Sequence, residues 1–276
     1  MSIGADFNHD PRSVRQLGRV VYAPANEALR QAADFKREGR IDFLVAGPAN
    51  ALFPEEADNI LLDPAIDLLI VPSVWVRNLY FASAPQLVPK TYVCPSGVDV
   101  EMWKPSDAPR DPQCVIYWKS GDEKFCEEVE AIVESRALEA IRIRYGHYKA
   151  SEYREVLDKS AFGVFLSSFE TQGLALAEAW SMDVPTLVWD PRAQASWRGR
   201  SFTSGSSAPY LTDATGAAWT SSRELSECLD DAIRHRERFH PREWVLNHMT
   251  DAVCAERLLK TIQTEAAKTA GLISFS

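Results

Sequence analysis

The chain has 276 residues, a length that suits one large domain or two small ones. Apolar side chains make up 46% of it, which is enough for a sizeable core. The formal net charge of −9 argues against nonspecific binding to a nucleic-acid backbone, although a local basic pocket is compatible with it.

The five cysteines are scattered, with no C-x-x-C pair and no other metal-ligand spacing. They are Cys94, Cys114, Cys126, Cys228 and Cys254. This pattern predicts reduced thiols, no structural zinc and a cytoplasmic protein. The first residues lack the apolar run of a signal peptide, and no stretch approaches the roughly 20 apolar residues of a membrane span. We therefore expect no transmembrane segment.

Short apolar runs alternate with segments of helical periodicity in the first third of the chain. The predicted strands are 19–23, 41–46, 67–71 and 92–93, and the predicted helices are 26–38 and 74–81. Strands that alternate with helices are typical of a parallel sheet with helices on its faces.

A second series of the same kind follows a polar, proline-bearing stretch at 106–112. Its predicted strands are 114–118, 141–145, 162–166 and 184–189, and its predicted helices are 125–139, 152–159, 174–182 and 241–264. The segment 193–209 is rich in Ser, Arg and Gly, which predicts a mobile loop. We interpret Arg198 and Arg200 within it as solvated charges, with a contribution to a phosphate pocket as the alternative.

The stretch 165–190 is a strand, a loop, a helix and a second strand, and so forms one βαβ unit. Gly173 opens its helix, where unpartnered N–H groups and the helix dipole favour an anion that a glycine lets approach closely. Glu178 lies five residues into the helix, about 7 Å along its axis at about 1.5 Å per residue. A carboxylate there can bind a ribose diol while a diphosphate sits at the helix end. Glu170, before the helix, can reach the group on the other side of that diphosphate.

This unit resembles the donor-binding segment of retaining glycosyltransferases of GT-B fold, the group 1 or family 4 type. Those enzymes usually read E-G-F-G-L-x-x-x-E-A-M-A-x-G-x-P, and this chain reads E-T-Q-G-L-A-L-A-E-A-W-S-M-D-V-P. Asp183 stands where the family commonly has glycine at the end of the helix. Asp tolerates the left-handed conformation better than most residues. An ordinary βαβ unit with two solvated glutamates is the alternative.

Two further segments carry the resemblance. The family's link between domains reads P-N-G-V-D followed by an aromatic residue and a proline, and residues 95–105 read PSGVDVEMWKP. Residues 72–77, PSVWVR, resemble the family's S-x-W segment after a strand. The family also places an Arg after the first strand of its second domain and a Lys five residues on, both on the donor diphosphate. Here both positions are lysine, Lys119 and Lys124. The alternative interpretation is that these are surface lysines that neutralise Asp122 and Glu123.

The resemblance implies an α/β protein of GT-B fold, with two Rossmann-like domains facing across a cleft. We expect a shortened acceptor domain at 1–108, a donor domain at 109–250 and a C-terminal helix at 251–276 that packs back on the first domain. The expected activity is hexosyl transfer with retention from a nucleotide-diphosphate sugar to an unknown glycan, lipid-linked or small-molecule acceptor. We expect no metal, no cofactor and no nucleic-acid partner, and a weak peripheral contact with a membrane is compatible with this activity.

The resemblance implies a catalytic set and a donor-binding set. The catalytic residues would be Glu170, Lys119 and Lys124. The donor-binding residues would be Gly173, Leu174, Glu178, Gln172, Thr171 and His147. For His147, which follows a strand end, a solvated loop position is an equal alternative.

The chain departs from the family in its first domain. Residues 22–26, YAPAN, stand where the family has a glycine-rich loop, and no histidine matches the one that many members place there. Two alternative functions therefore stay open. The first is a regulatory subunit that binds sugar nucleotides without transferring the sugar. The second, ranked last, is a sugar-nucleotide epimerase.

Overall fold

The computed structural model describes residues 17–24, 26–49, 51–56, 58–203 and 205–273, with side chains up to residue 269. The chain forms two compact units. In the described part, one unit comprises residues 17–94 and 257–273, and the other comprises residues 95–256.

The first unit is a four-stranded parallel sheet in the order β1-β2-β3-β4. Its elements are β1 (Val20–Ala23), α1 (Asn26–Arg37), β2 (Phe43–Ala46), β3 (Leu68–Val71), α2 (Val74–Ser83) and β4 (Thr91–Val93). Short 3-10 turns at Ile60–Leu62 and Pro85–Lys90 complete the connections. The predicted alternation of strands and helices is confirmed.

Both faces of this sheet are covered, as a parallel sheet requires. Every residue of β2 and β3 is buried. The helices α1 and α2 pack on one face, and the last helix of the chain packs on the other. From that last helix, Leu258, Ile262 and Ala266 contact the cluster around Phe43 and Ile70. Their spacing of four residues places them on one side of the helix.

The second unit is a five-stranded parallel sheet in the order β11-β8-β7-β5-β6, flanked by helices. Its strands are β5 (Gln113–Trp118), β6 (Glu139–Arg144), β7 (Ser160–Leu166), β8 (Thr186–Trp189) and β11 (Gly216–Trp219). Its helices are α3 (Glu123–Glu134), α4 (Ala150–Lys159), α5 (Leu174–Ser181), α6 (Ser222–Arg234) and α7 (Pro241–His248). The helix α8 (Asp251–Ile273) begins in this unit and continues into the first.

The segment 193–209 is a β-hairpin for much of its length, so the prediction of a loop there was wrong. Strand β9 (Gln194–Trp197) pairs antiparallel with β10 (Arg200–Thr203). The two residues between the strands, Arg198 and Gly199, both have positive φ, at 48° and 78°. Two positive φ angles suit a tight hairpin turn, so the Ser, Arg and Gly composition that predicted a loop also serves this turn.

The segment after β4 belongs to the second unit, which begins at Pro95 rather than at the predicted residue 109. Val98 pairs with Thr250, and the Trp103 ring packs edge-on against Tyr153 at 5.7 Å between centroids. The Ser181 hydroxyl donates to the Trp103 carbonyl at 2.7 Å. The sequence resemblance located this segment between domains but held no information on which unit its side chains would contact.

Asp183 ends α5 in the left-handed conformation that the sequence predicts, with φ 59°. Its carbonyl accepts from Arg236 Nη2 at 3.0 Å, and its Oδ1 accepts from the Arg242 backbone N–H at 3.3 Å. We expect Asp183→Ala to lower the free energy of unfolding by about 1–2 kcal/mol, because alanine resists positive φ and loses the acceptor. Asp183→Asn keeps both properties and should cost less, as urea unfolding would show. Equal stability of the two variants would contradict this account.

Candidate functional site

The loops that follow β5 and β7 are joined at the carboxyl edge of the second sheet. The backbone N–H groups of Lys119 and Ser120 both donate to the Leu166 carbonyl at 2.9 Å. The Ser120 and Ser168 hydroxyls lie 3.2 Å apart, and the Ser168 N–H donates to Ser120 Oγ at 3.1 Å. Open α/β sheets bind their ligands at this edge, so the joined loops form a firm base for a site.

Lys119 and Glu170 meet on these two loops. Lys119 Nζ lies 2.8 Å from Glu170 Oε1, and the Ser167 hydroxyl donates to the same oxygen at 2.9 Å. Lys119 Nζ also lies 4.7 Å from the centroid of the Tyr145 ring. The lysine side chain is 28% exposed and the glutamate 15%. An incoming anion therefore has access to a cation whose present partner is a carboxylate.

The N-terminus of α5 lies directly after this loop and has no side-chain cap. Gly173 precedes the helix with φ 83° in the left-handed region, where a Cβ would come within 3.0 Å of Leu176 Cδ1. No acidic side chain occupies the first turn, and Leu174 at its start is 51% exposed. The first N–H groups of α5 have no partner within the helix, so this end favours an anion.

Glu178 lies on the same helix, partly buried. Burial raises its pKa from the ordinary value of 4.5 to about 7. Two tyrosines lie within reach of its charge, since it adds to the raised pKa of both Tyr148 and Tyr153, whose main cause is burial. A carboxyl group kept from water in this way can accept hydrogen bonds from ligand hydroxyls strongly once it ionises.

The raised pKa of Glu178 should make the free energy of unfolding depend on pH. The native state holds a proton on this group between pH 4.5 and about 7 that the unfolded chain releases. Its contribution to the unfolding free energy therefore falls as pH rises through that window, by on the order of 1–3 kcal/mol. We expect Glu178→Gln to gain on the wild type as pH rises from 5 to 8, measured by urea unfolding. A difference that stays constant with pH would contradict the buried position of this carboxyl.

The tyrosines around this glutamate were not among the residues predicted for the site. The Tyr117 and Tyr148 hydroxyls lie 3.1 Å apart, and the Tyr153 hydroxyl donates to the Ala175 carbonyl at 2.9 Å. The charges of Glu178 and Glu170 both add to the raised pKa of Tyr148, whose main cause is burial. The only signal was the aromatic spacing of the stretch YGHYKASEY.

Four of the residues expected to act at the site form no side-chain hydrogen bond with this cluster among the described residues. Gln172 is buried, and its amide is used by the backbone of Ser96: Oε1 accepts from the Ser96 N–H at 2.9 Å and Nε2 donates to its carbonyl at 2.7 Å. The side chains of Thr171, Lys124 and His147 are exposed and form no hydrogen bond or ion pair with other described residues. In this structure the Gln172 side chain therefore holds the segment after β4 in place through two hydrogen bonds to Ser96.

The acidic residues between the two lysines do not neutralise them. The Asp122 carboxylate accepts from the Phe125 N–H at 2.8 Å and caps α3. Glu123 pairs with Arg142 on β6. The charge of Lys119 is met by Glu170 instead, so the alternative interpretation of these lysines is not supported for Lys119.

The described residues hold neither a metal-binding cluster nor a membrane-spanning helix. No group of three or more His, Cys, Asp or Glu side chains among them is arranged to hold a metal ion. None of the helices in the described ranges is both long enough and apolar enough to cross a bilayer.

Comparison by sequence finds no relative, since no protein-family model and no curated protein matches the chain. Comparison by structure finds several. The apo form of the lipopolysaccharide outer core galactosyltransferase WaaB matches with a TM-score of 0.59 at 11% identity, over 90% of this chain and 75% of that one. The catalytic domain of starch synthase IV from Arabidopsis thaliana matches with a TM-score of 0.62 at 8% identity, over 90% and 73%.

A third match is sucrose-phosphate synthase from Thermosynechococcus elongatus, with a TM-score of 0.56 at 13% identity, over 90% of this chain and 74% of that one. Structural similarity at identities this low establishes the fold, and the activity has to be argued from the site. They agree with two parallel-sheet units of Rossmann type, as the sequence predicted. The chain therefore has the GT-B fold of glycosyltransferases.

Proposed function

We propose that the protein transfers a sugar, with retention, from a nucleotide-diphosphate sugar to an acceptor. One observation carries the proposal: the Lys119–Glu170 pair lies beside an uncapped helix N-terminus whose helix also holds Glu178. These groups supply a cation, an anion-binding helix end and two carboxylates at the carboxyl edge of one sheet. We assign donor binding to this second unit and acceptor binding to the first.

In the proposed reaction the bond between the anomeric carbon and the diphosphate oxygen breaks, and a bond to an acceptor oxygen forms on the same face. The acceptor proton leaves with the released nucleoside diphosphate. Negative charge grows on the departing diphosphate, where the N–H groups after Gly173 and the Lys119 ammonium stabilise it. Glu178 binds the ribose diol.

We propose that the Lys119–Glu170 pair separates when the donor binds. A bound diphosphate offers Lys119 a doubly charged partner in place of one carboxylate. Glu170 can then bind sugar hydroxyls or offset positive charge at the anomeric carbon. Ser167 still donates to Glu170 and holds it near the site.

We propose that transfer needs no metal ion, because Lys119 and the α5 N-terminus already provide positive charge for the leaving group. Turnover should be unaffected by a chelator. Loss of turnover with EDTA, restored by magnesium or manganese, would contradict this part of the proposal.

The proposal is tested by incubating the protein with UDP-, GDP- and ADP-sugars and following the products by proton NMR. Release of nucleoside diphosphate with a sugar product of unchanged anomeric configuration is expected for one donor. Inverted configuration would contradict the retaining mechanism. Binding without turnover over a broad acceptor panel would favour the regulatory subunit, and conversion of the sugar nucleotide itself would favour the epimerase.

A further inference from the structure

Ser73 occupies an unusual position in the first unit. It is the N-cap residue of α2, with extended φ and ψ of −156° and 164° that suit a cap, yet its hydroxyl accepts no bond from the helix N–H groups. The residue is 1% exposed, and its Oγ has no hydrogen-bond partner. Buried hydroxyls are nearly always paired, so this one calls for an explanation.

Arg77 lies one turn further along the same helix. Its backbone N–H donates to the Ser73 carbonyl at 3.1 Å, which closes the first turn between the two residues. The Arg77 Nε is also buried without a hydrogen-bond partner. An N–H of a guanidinium is a permanent donor, so two donors one turn apart lack an acceptor.

The first turn of α2 favours an anion over a neutral ligand. The first turn of α2 holds no acidic side chain. The helix is 10 residues long, so its first N–H groups and its dipole add partial positive charge at Ser73. Val74, the next residue, is 53% exposed, so this turn reaches the surface.

We propose that Ser73 and Arg77, with the N-terminus of α2, bind a small oxyanion of the phosphate type. The site lies at the carboxyl edge of the first sheet, since α2 follows β3 directly. The anion satisfies the Ser73 hydroxyl and the Arg77 Nε together. That it belongs to the acceptor, as a phosphomonoester, rests on the proposed function, whereas the oxyanion site itself does not.

The test compares thermal unfolding in inorganic phosphate with unfolding in chloride at equal ionic strength, without any sugar nucleotide. The wild type should unfold about 2 °C or more higher in phosphate. Ser73→Ala and Arg77→Gln should lose that shift, while Arg40→Gln, an exposed arginine of the same unit, should keep it. A shift that is absent in the wild type or equal in all four proteins would overturn the proposal.

Ser73→Ala also gives a reading in chloride alone. Removal of an unpaired buried hydroxyl leaves the melting temperature unchanged or raises it, whereas removal of a working N-cap lowers it. A lower melting temperature in chloride would therefore show that Ser73 caps α2 and would overturn the site. Thermal unfolding in glycerol 3-phosphate distinguishes a phosphomonoester ligand from free phosphate. A larger shift in melting temperature than that from inorganic phosphate assigns the site to a phosphomonoester, and a smaller shift assigns it to the free ion.

Discussion

Lys119→Met should lower kcat/KM for the sugar nucleotide by about 100- to 1,000-fold, the usual effect of removing one preorganised group that stabilises a leaving anion. The methionine keeps the apolar stem and removes the charge that, in the proposed function, stabilises the departing diphosphate. The unfolding free energy should change by no more than about 1 kcal/mol, because the pair with Glu170 is partly exposed and Ser167 continues to donate to that carboxylate. Steady-state kinetics on the matching donor provides the measurement.

Two variants control this result. Lys119→Arg keeps the positive charge at this position, and it should recover most of the activity. Lys159→Met removes an exposed lysine at the end of α4 and should leave kinetics unchanged. Equal losses for the Met and Arg variants would mean that Lys119 acts through local structure, and the electrostatic role would be dropped.

Glu178→Ala should weaken binding of the matching nucleoside diphosphate by about 10- to 100-fold, the value of hydrogen bonds to a charged group. The loss should be larger at pH 8 than at pH 6, because the carboxyl has a pKa of about 7 and an ionised carboxylate would be the stronger acceptor for the ribose diol in the proposed donor site. Titration calorimetry at the two pH values measures both effects.

The stability of the Glu178 variants separates function from structure. At pH 8 the ionised, buried carboxylate lowers the free energy of unfolding, so Glu178→Gln should be at least as stable as the wild type. The same variant should bind the nucleoside diphosphate less tightly. Glu128→Ala, an exposed residue on α3, should change neither property. Unchanged affinity in Glu178→Ala at both pH values would remove this residue from the donor site.

Much of the fold was predictable because its signals are local. Buried parallel strands are continuous apolar runs, and every strand predicted from such a run is present to within two residues. Asp183 was predictable for a similar reason, since few residues accept positive φ at a helix end. The hairpin at 194–203 was missed because its strands are polar and mostly exposed. Its pairing depends on the turn at Arg198 and Gly199 rather than on burial.

The site was predictable only in outline. A spacing of eight positions placed Glu170 before α5 and Glu178 on it, and the glycine between them marked the helix end. The Lys119–Glu170 contact joins residues 51 positions apart, so no local pattern reports it. The same holds for Gln172, which faces the backbone of Ser96 because that segment packs into the second unit.

The most direct test of the donor site is the thermal unfolding of the wild-type protein with UDP, GDP, ADP and their sugars. A nucleotide at about 100 times its dissociation constant adds about 2.7 kcal/mol, or roughly 5–10 °C for a protein of this size. We predict such a shift for one nucleotide family and much smaller shifts for the others. No shift with any of them would mean that the chain shares the GT-B fold without its donor site, and would contradict the proposed function.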